Sequence, residues 1–337
     1  MQFLKKAMLI FLSLLITIAI VLYFYIYVNG PAIQSQSAIL IDADSGEIVY
    51  KKNETSPFPS GDLSKLMTEY ILLERIHNGT LKWEDEVIIK DNSFHIGAND
   101  IGTTVKSDIT IRDLFHAVAL TGNNRAALAL AEHISTNEEN FIKLMNEKAR
   151  QLGLSKDTYF INVTGVSNKQ EQFSKITALD ASKLARQLLY DYPTILKSSS
   201  MTSYQFIFKD IHVFNTNRML YSLDKNVKLK SVDGLQTSFS PTTGYSFVGT
   251  AKEKDRRLIS VVLGAKGENS SFIESKKLFN YGFHPTYFPS FQSFKDYISS
   301  WLSSLSFKNF FVQSITVLFI IMISMIIHVR KQDSENL

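Results

Sequence analysis

The chain contains no cysteine among its 337 residues. This absence excludes disulfide bonds, thiol chemistry and metal sites with cysteine ligands. A folded unit of this length buries enough apolar surface to be stable without cross-links, so the absence is compatible with an exported protein. His95, His116 and His133 have no potential metal ligand at a useful spacing, so we expect neither a metal nor another cofactor.

An excess of charge of either sign is also missing. The chain has 36 Lys and Arg against 32 Asp and Glu, a formal net charge of +4. The positive residues are scattered, and no basic stripe with interleaved aromatic residues occurs. We therefore expect no nucleic-acid partner.

Two long apolar runs are present. Residues 7–28 carry no charge, and residues 310–329 contain one histidine as their only ionisable side chain. Each run has about the 20 residues needed to cross the hydrocarbon core of a bilayer. The flanking positive residues predict that residues 1–6 and 330–337 are cytoplasmic and that the intervening chain is outside. Residues 7–28 could instead be a cleaved signal, although the run is longer than the usual signal core.

The segment that precedes the second run, residues 293–308, has apolar and aromatic residues at helical spacing. Its other positions are mostly serine and lysine. This pattern predicts an amphipathic helix at the membrane surface, and a helix packed on the folded domain is the alternative.

The chain between the two apolar runs has the pattern of one α+β domain. Apolar runs on both sides of a turn predict a hairpin over 38–51. Thr110 and Asp113 have the spacing of a capping box. Strand-like segments dominate after residue 204, so we expect helices to pack on a sheet that recruits both ends of the domain. Helical spacing of apolar residues predicts helices over 62–78, 110–133 (interrupted at "TGNN"), 138–152, 177–191 and 272–282.

Nine segments in this chain occur in a characteristic order: "SAILIDADSGEIVYKKN", "GDLSKLMT", "LTGNNRAALALAEHIS", "FIKLMNEKARQLGL", "FINVTGV", "TALDASKLARQLLYDYP", "NTNRML", "VDGLQTSFSPTTGYSFVGTA" and "LFNYGF". Together they resemble the catalytic domain of serine-type D-alanyl-D-alanine carboxypeptidases, the S11 peptidase family of low-molecular-weight penicillin-binding proteins. The resemblance covers about residues 36–284. It implies a β-lactamase/transpeptidase-like fold, in which an antiparallel sheet flanked by helices lies beside a helical lobe. It also implies a substrate class, because family members trim the terminal D-alanine from peptidoglycan stem peptides.

The first catalytic motif that the resemblance implies pairs a serine nucleophile with a lysine three residues later. On a helix this spacing puts both side chains on one face, so the amine can take the hydroxyl proton. Here Asp62 occupies the serine position, and Lys65 is retained. Ser64 points about 100° away from that face, and Ser60 precedes the helix. A literal serine and lysine at this spacing, Ser222–Lys225, lie in a polar turn.

The second motif is a serine-x-asparagine loop that faces the nucleophile. The chain has Thr121-Gly122-Asn123 in its place, so a hydroxyl is kept. The alternative is a simple helix break in which Asn123 caps the next helix.

The third motif is a lysine-threonine-glycine triplet on the strand beside the cleft, whose lysine supplies positive charge for the substrate carboxylate. The chain has Gln236-Thr237-Ser238 there. Glutamine can donate a hydrogen bond to a carboxylate, but the bond lacks the extra strength that a charged donor gives. Ser238 adds bulk where the substrate backbone would lie.

Loss of a nucleophile alone costs several orders of magnitude in rate. We therefore expect a catalytically inactive, membrane-anchored relative of these carboxypeptidases in the bacterial cell envelope, with its main domain outside the cytoplasmic membrane. Its expected partners are a peptidoglycan stem peptide or a cell-wall protein. Two alternatives stay open, namely an active carboxypeptidase with a nonstandard site and a purely structural module of a wall-synthesis complex.

Overall fold

The computed structural model describes residues 2–88, 109–168, 170–206 and 212–284. Contacts divide the chain into two compact units, of which the larger comprises Ile33–Thr286. The other unit includes the helix α1, Gln2–Asn29, which contains the predicted first span, 7–28. In the described part of the chain, no helix combines the length and the hydropathy that crossing a bilayer requires. The predicted segments 293–308, 310–329 and 330–337 lie outside the described residues, so both spans stay predictions.

The larger unit contains nine strands and seven helices in its described residues. In chain order they are β1 (Ser37–Asp42), β2 (Ile48–Lys52), β3 (Phe58–Pro59), α2 (Lys65–His77), α3 (Ile111–Thr121), α4 (Asn124–Ser135), α5 (Glu138–Gln151), β4 (Lys175–Ile176), α6 (Ala178–Asp191), α7 (Ile195–Ser199), β5 (Ser203–Gln205), β6 (His212–Phe214), β7 (Val232–Ser240), β8 (Gly244–Glu253), β9 (Arg256–Ala265) and α8 (Ser270–Phe283). The predicted hairpin and every predicted helix that ends before residue 284 are therefore confirmed.

Five strands form one antiparallel sheet in the order β2-β1-β9-β8-β7. The amino-terminal hairpin pairs with β9, so the sheet does recruit both ends of the domain. β7 lies at one end of the sheet, and β8 is its only strand partner among the described residues. The α+β prediction with an antiparallel sheet is thus confirmed, and the third predicted motif lies on an edge strand.

The sheet separates two apolar cores. Successive side chains of a strand point to opposite faces, and residues 38–41 of β1 alternate between the two cores accordingly. One core is formed with α8, and the other, larger core is formed with α2 and the helices around it. α2 is buried from Lys65 through Leu73, and a helix buried all round is normally apolar. Lys65 and Glu69 are therefore charged exceptions in the middle of the protein.

Local sequence signals explain where the helices next to α2 begin and end. Thr110 and Asp113 form the predicted capping box at the start of α3, with the Asp113 N–H donating to Thr110 Oγ1 at 3.2 Å. α3 ends at Gly122, which has a φ of +65° and therefore suits glycine. Asn123 then caps α4 by accepting a hydrogen bond from the Ala126 N–H at 2.9 Å. The predicted break at "TGNN" is confirmed as a cap-to-cap junction.

Candidate active site

The residue at the predicted nucleophile position lies in a short 3-10 turn, Gly61–Ser64, that leads directly into α2. The helix therefore begins at Lys65, three residues later than the sequence pattern indicates, because the first turn is wound more tightly. Asp62 Oδ1 lies 2.5 Å from Lys65 Nζ. The two side chains share one face, as their spacing predicts, and they form an ion pair.

The Lys65 amine is completely enclosed, with none of its side chain exposed. It donates to three oxygens: Asp62 Oδ1 at 2.5 Å, Asn124 Oδ1 at 2.7 Å and the Thr164 carbonyl at 2.9 Å. Three acceptors match the three N–H bonds of an ammonium, whereas a neutral amine would offer only two. Burial lowers the pKa of Lys65, and the negative charge of Asp62 opposes this shift. The amine has no lone pair available to take a proton from a nucleophile.

The segment that supplies the Thr164 carbonyl packs tightly on the turn that contains Asp62. Gly165 has a φ of +76°, and a Cβ at this position would lie 1.8 Å from the Gly61 carbonyl oxygen. A residue other than glycine would therefore push the two segments apart. Gly165 thus permits the approach that brings the third acceptor to Lys65.

The second predicted motif contributes to this site through a residue that the sequence analysis did not assign. The Asn123 side-chain oxygen is the cap of α4, and Thr121 Oγ1 donates to the Ala117 carbonyl of its own helix at 2.7 Å. The next residue, Asn124, contacts Lys65 instead. The capping alternative is confirmed for Asn123. Because Asn123 caps α4, Asn124 is the first residue of that helix, and its side chain reaches Lys65. Functional roles for Thr121 and Asn123 stay predictions.

The third predicted motif touches the first through a backbone hydrogen bond. The Asp62 N–H donates to Ser238 Oγ at 2.9 Å, and the Ser238 side chain is only 8% exposed. In serine hydrolases the backbone N–H of the nucleophile is one of the donors that stabilise the oxyanion of the tetrahedral intermediate. Here the corresponding N–H is already occupied by a hydroxyl of the same chain. Glycine at position 238 would leave that N–H open.

The remaining members of the third motif offer neutral groups only. Gln236 is 2% exposed, and a Cβ on Gly122 would lie 3.3 Å from Gln236 Nε2 and 3.4 Å from Asp62 Cγ. Because Gly122 has no side chain, the Gln236 amide and the Asp62 carboxylate can both lie close to it. Thr237 Oγ1 is hydrogen-bonded to Thr216 Oγ1 at 2.6 Å, which ties β7 to the end of α3. Sequence reasoning missed Thr216, which lies in the "NTNRML" segment.

A second acid lies one helical turn beyond Lys65. Glu69 is 2% exposed, and its Oε1 has no hydrogen-bond partner among the described residues. Burial raises the pKa of Glu69 to about 8, and the positive charge of Lys65 opposes this shift. Glu69 is therefore protonated at neutral pH, and the charge of Lys65 is balanced by Asp62 alone. An acidic residue four positions after a lysine, which places both on one helix face, was the signal for this cluster.

A cavity of about 280 Å³ opens beside Asp62. Its walls come from the turn before α2, from the segment around Gly165 and from the end of β7 with the turn that follows. Proline and aromatic residues contribute much of the lining: Pro59, Phe173, Phe239 and Pro241. Asp62 is the only charged residue among the described residues that line it. The cavity is at the small end of ligand pockets, which measure about 300–1,000 Å³.

The literal serine and lysine spacing elsewhere in the chain does not form a comparable site. Ser222 and Lys225 lie in a turn, where Ser222 Oγ accepts a hydrogen bond from the Asp224 N–H at 3.1 Å. The Lys225 side chain is exposed, and neither residue lies on a helix. The pair therefore lacks the helical setting that the first motif requires.

Curated relatives carry the name that the sequence motifs suggested. D-alanyl-D-alanine carboxypeptidase DacC of Escherichia coli is 33% identical over 262 residues, which are 76% of this chain and 63% of the relative. DacF of Bacillus subtilis is 30% identical over 262 residues, 75% of this chain and 64% of the relative. The chain therefore spans a little under two thirds of the length of these relatives.

Solved structures with a similar fold are penicillin-binding proteins. Penicillin-binding protein D2 of Listeria monocytogenes, in its ampicillin-bound form, has a TM-score of 0.67 and 29% identity, and the match covers 74% of this chain and 98% of that one. A peptidoglycan synthesis regulatory factor of Streptococcus pneumoniae, PBP3, has a TM-score of 0.69 and 30% identity, with 75% and 80% covered. The predicted fold of penicillin-binding proteins is thus confirmed.

The model of the peptidase S11 family, described as D-alanyl-D-alanine carboxypeptidase, matches residues 26–267. This range contains the turn with Asp62, the α3–α4 junction and β7, so all three predicted motifs lie within the matched region. The match covers well over half of the chain, and the chain belongs to the D-alanyl-D-alanine carboxypeptidase (S11 peptidase) family.

Proposed function

We propose that this family member is a catalytically inactive protein of the bacterial cell envelope that binds peptidoglycan stem peptides or a cell-wall protein at its altered cleft. One observation carries the proposal. At the position where acylation would begin, the Asp62 carboxylate is paired with Lys65 at 2.5 Å, and the Asp62 N–H is bonded to Ser238. The nucleophile, the base and one oxyanion donor are therefore each engaged within the protein.

Asp62 is a poor substitute for a serine nucleophile. Attack by its carboxylate on a peptide carbonyl would give a mixed anhydride, and the ion pair with the fully enclosed Lys65 would have to be broken. Lys65 in turn is an ammonium that donates its three N–H bonds to three oxygens of the protein, so it cannot act as the base. Loss of the serine in such a machinery typically lowers kcat by about 10⁶-fold.

The oxyanion donor is the second obstacle to turnover. Removal of a single donor commonly costs about 10²–10³-fold in kcat. Ser238 Oγ would have to leave the Asp62 N–H before a carbonyl oxygen could bind there. The cleft can therefore hold a peptide beside β7 without polarising one of its carbonyl groups.

Membrane attachment is part of the same proposal. It is supported by the two apolar runs, residues 7–28 and 310–329, and by the positive residues that flank them. In this arrangement both termini are cytoplasmic and the carboxypeptidase-like domain faces the cell wall, where stem peptides occur. Fractionation of cells, followed by protease treatment of intact spheroplasts, tests the orientation. Protection of the domain from external protease would contradict it.

Covalent labelling tests catalytic inactivity directly. The full-length protein is incubated with a fluorescent penicillin and, separately, with a peptide that ends in D-alanyl-D-alanine. We expect no labelled band and no released D-alanine, even at high protein concentration. An acyl adduct on any side chain of the wild-type protein, located by mass spectrometry, would overturn the proposal in favour of an active carboxypeptidase with a nonstandard site.

The matched control restores the three altered positions together, as Asp62→Ser, Gln236→Lys and Ser238→Gly. The serine regains a nucleophile, the lysine regains positive charge, and the glycine frees the N–H of residue 62. We expect this triple variant to be labelled by the penicillin. Labelling of the variant and not of the wild type would show that the cleft is intact and that the three residues are what prevents acylation.

A further inference from the structure

We infer that the cleft selects an extended peptide whose end beside Asp62 is uncharged, such as a carboxamide or an internal peptide bond, over one with a free terminal carboxylate. The inference rests on the proposed function, since it names the chemistry of the ligand at the same site. Which peptide end the cleft prefers is determined neither by the fold nor by the loss of catalysis.

The charges around the cleft do not suit a carboxylate. Of the described residues that line the cavity, Asp62 alone is charged, and it is negative. Lys65, which balances Asp62, is fully enclosed and has used its three donors on groups of the protein. A ligand carboxylate would thus lie near another carboxylate with no accessible cation among the described lining residues, which is unfavourable.

The strand beside the cleft offers neutral hydrogen-bonding groups along its length. The Gln236 amide is only 2% exposed, lies close to Gly122 as the Asp62 carboxylate does, and donates from Nε2 at 3.3 Å to the Thr237 carbonyl. Thr237 and Ser238 present hydroxyls that are already bonded to Thr216 and to the Asp62 N–H. An amide matches another amide because each has a donor and an acceptor, whereas a carboxylate accepts only. These three side chains are neutral, so they supply no positive charge that would favour a carboxylate over an uncharged peptide end.

The walls of the cavity increase this preference. Pro59, Phe173, Phe239 and Pro241 line it, and Phe239 stacks on Tyr245 with ring centroids 4.4 Å apart. Apolar walls displace water from a bound group, and an ionised carboxylate loses far more hydration free energy than an amide does. The cost is offset only if the site provides a countercharge, and none of the described residues that line the cavity does.

The edge position of β7 gives the ligand its extended form. Among the described residues β7 pairs with β8 alone, so its other edge is available to the backbone of a peptide strand. Phe239 is 53% exposed at the end of this strand, where it can cover an apolar side chain of the ligand. Strand pairing supplies the affinity, and the neutral end beside Asp62 supplies the selectivity.

The test compares two peptides that differ only at the carboxyl end. One is an acylated tripeptide that ends in D-alanyl-D-alanine with a free carboxylate, and the other is its carboxamide. Calorimetry with the full-length protein gives the two dissociation constants at neutral pH. We expect the carboxamide to bind at least fivefold more tightly. Gln236→Lys is expected to reverse the order, because the lysine provides a charge-assisted bond to the carboxylate.

The control variant Gln151→Lys adds the same charge at the exposed end of α5, at a residue that is not among the described residues lining the cavity. It should leave the wild-type order unchanged. Tighter or equal binding of the free acid by the wild-type protein would overturn this inference while leaving the proposal of an inactive peptide-binding protein in place. Binding of neither peptide would overturn both peptide-binding claims, and the labelling experiment would still decide catalytic inactivity.

Discussion

Replacing Glu69 with glutamine should stabilise the protein at neutral pH and weaken its pH dependence. Glu69 is buried in α2, its Oε1 lacks a partner among the described residues, and burial raises its pKa from 4.5 to about 8. Between pH 4.5 and about pH 8, Glu69 is therefore protonated in the folded chain and ionised in the unfolded chain. Stability therefore falls as pH rises through this window, by at most about 1.4 kcal/mol per pH unit.

The size of the effect follows from the width of the window. From pH 4.5 to pH 7 the wild-type protein should lose about 3 kcal/mol of unfolding free energy through Glu69. Glutamine does not ionise, so Glu69→Gln escapes this loss. The difference in stability between variant and wild type should therefore grow by about 3 kcal/mol over this range and level off above pH 8.

Urea unfolding at several pH values measures the difference. Tryptophan fluorescence is a suitable signal, since Trp83 packs against Phe115 in the helical lobe with ring centroids 5.1 Å apart. Glu147→Gln, which changes an exposed residue of α5, is the matched control and should alter stability by less than about 0.5 kcal/mol. Parallel stability curves for wild type and Glu69→Gln between pH 4.5 and 8 would show that Glu69 is ionised in the folded protein and would refute the charge assignment.

Two further predictions concern the same cluster. Asp62→Ala leaves the enclosed ammonium of Lys65 without its counterion and should lower the unfolding free energy by about 3 kcal/mol in urea titrations. An unchanged unfolding midpoint would argue against a structural ion pair. Gly122→Ala places a side chain on a residue with a φ of +65° and directs it towards Gln236 and Asp62, so it should lower the unfolding free energy by more than about 1 kcal/mol in the same assay. Unchanged stability would indicate that the Gln236 and Asp62 side chains lie further from Gly122.

The fold could be predicted from sequence because its signals are local. Apolar spacing located every helix of the larger unit's described residues except the five-residue α7, and the capping residues Thr110 and Asn123 marked where two of them begin. The pairing of β1 with β9 is not local, since the two strands are far apart in the chain, and only the family resemblance and the position of strands at both ends indicated it. The start of α2 was misplaced by three residues because a 3-10 turn and an α-helical turn share the same residue preferences.

The site could be predicted only as a set of positions. The spacing of Asp62 and Lys65 puts both side chains on one helix face, where their opposite charges form an ion pair. Which of two adjacent asparagines contacts Lys65 depends on the cap, since neighbouring helical residues point about 100° apart. The bond from the Asp62 N–H to Ser238 Oγ joins residues 176 apart, and no local pattern encodes it. Contacts of this kind require the folded backbone.

The altered residues of the cleft satisfy one another. Asp62 supplies the countercharge that a buried ammonium needs, and Ser238 supplies an acceptor for the backbone N–H that a catalytic site would keep open for its substrate. An active site of this kind stores unsatisfied donors and a charged base in a water-excluded cleft, which costs stability. On the proposal that acyl transfer has been lost, each substitution removes one of these costs together with the catalytic role that required it. The arrangement is therefore what a cleft is expected to acquire when selection maintains the fold and a surface for binding, and no longer maintains acyl transfer.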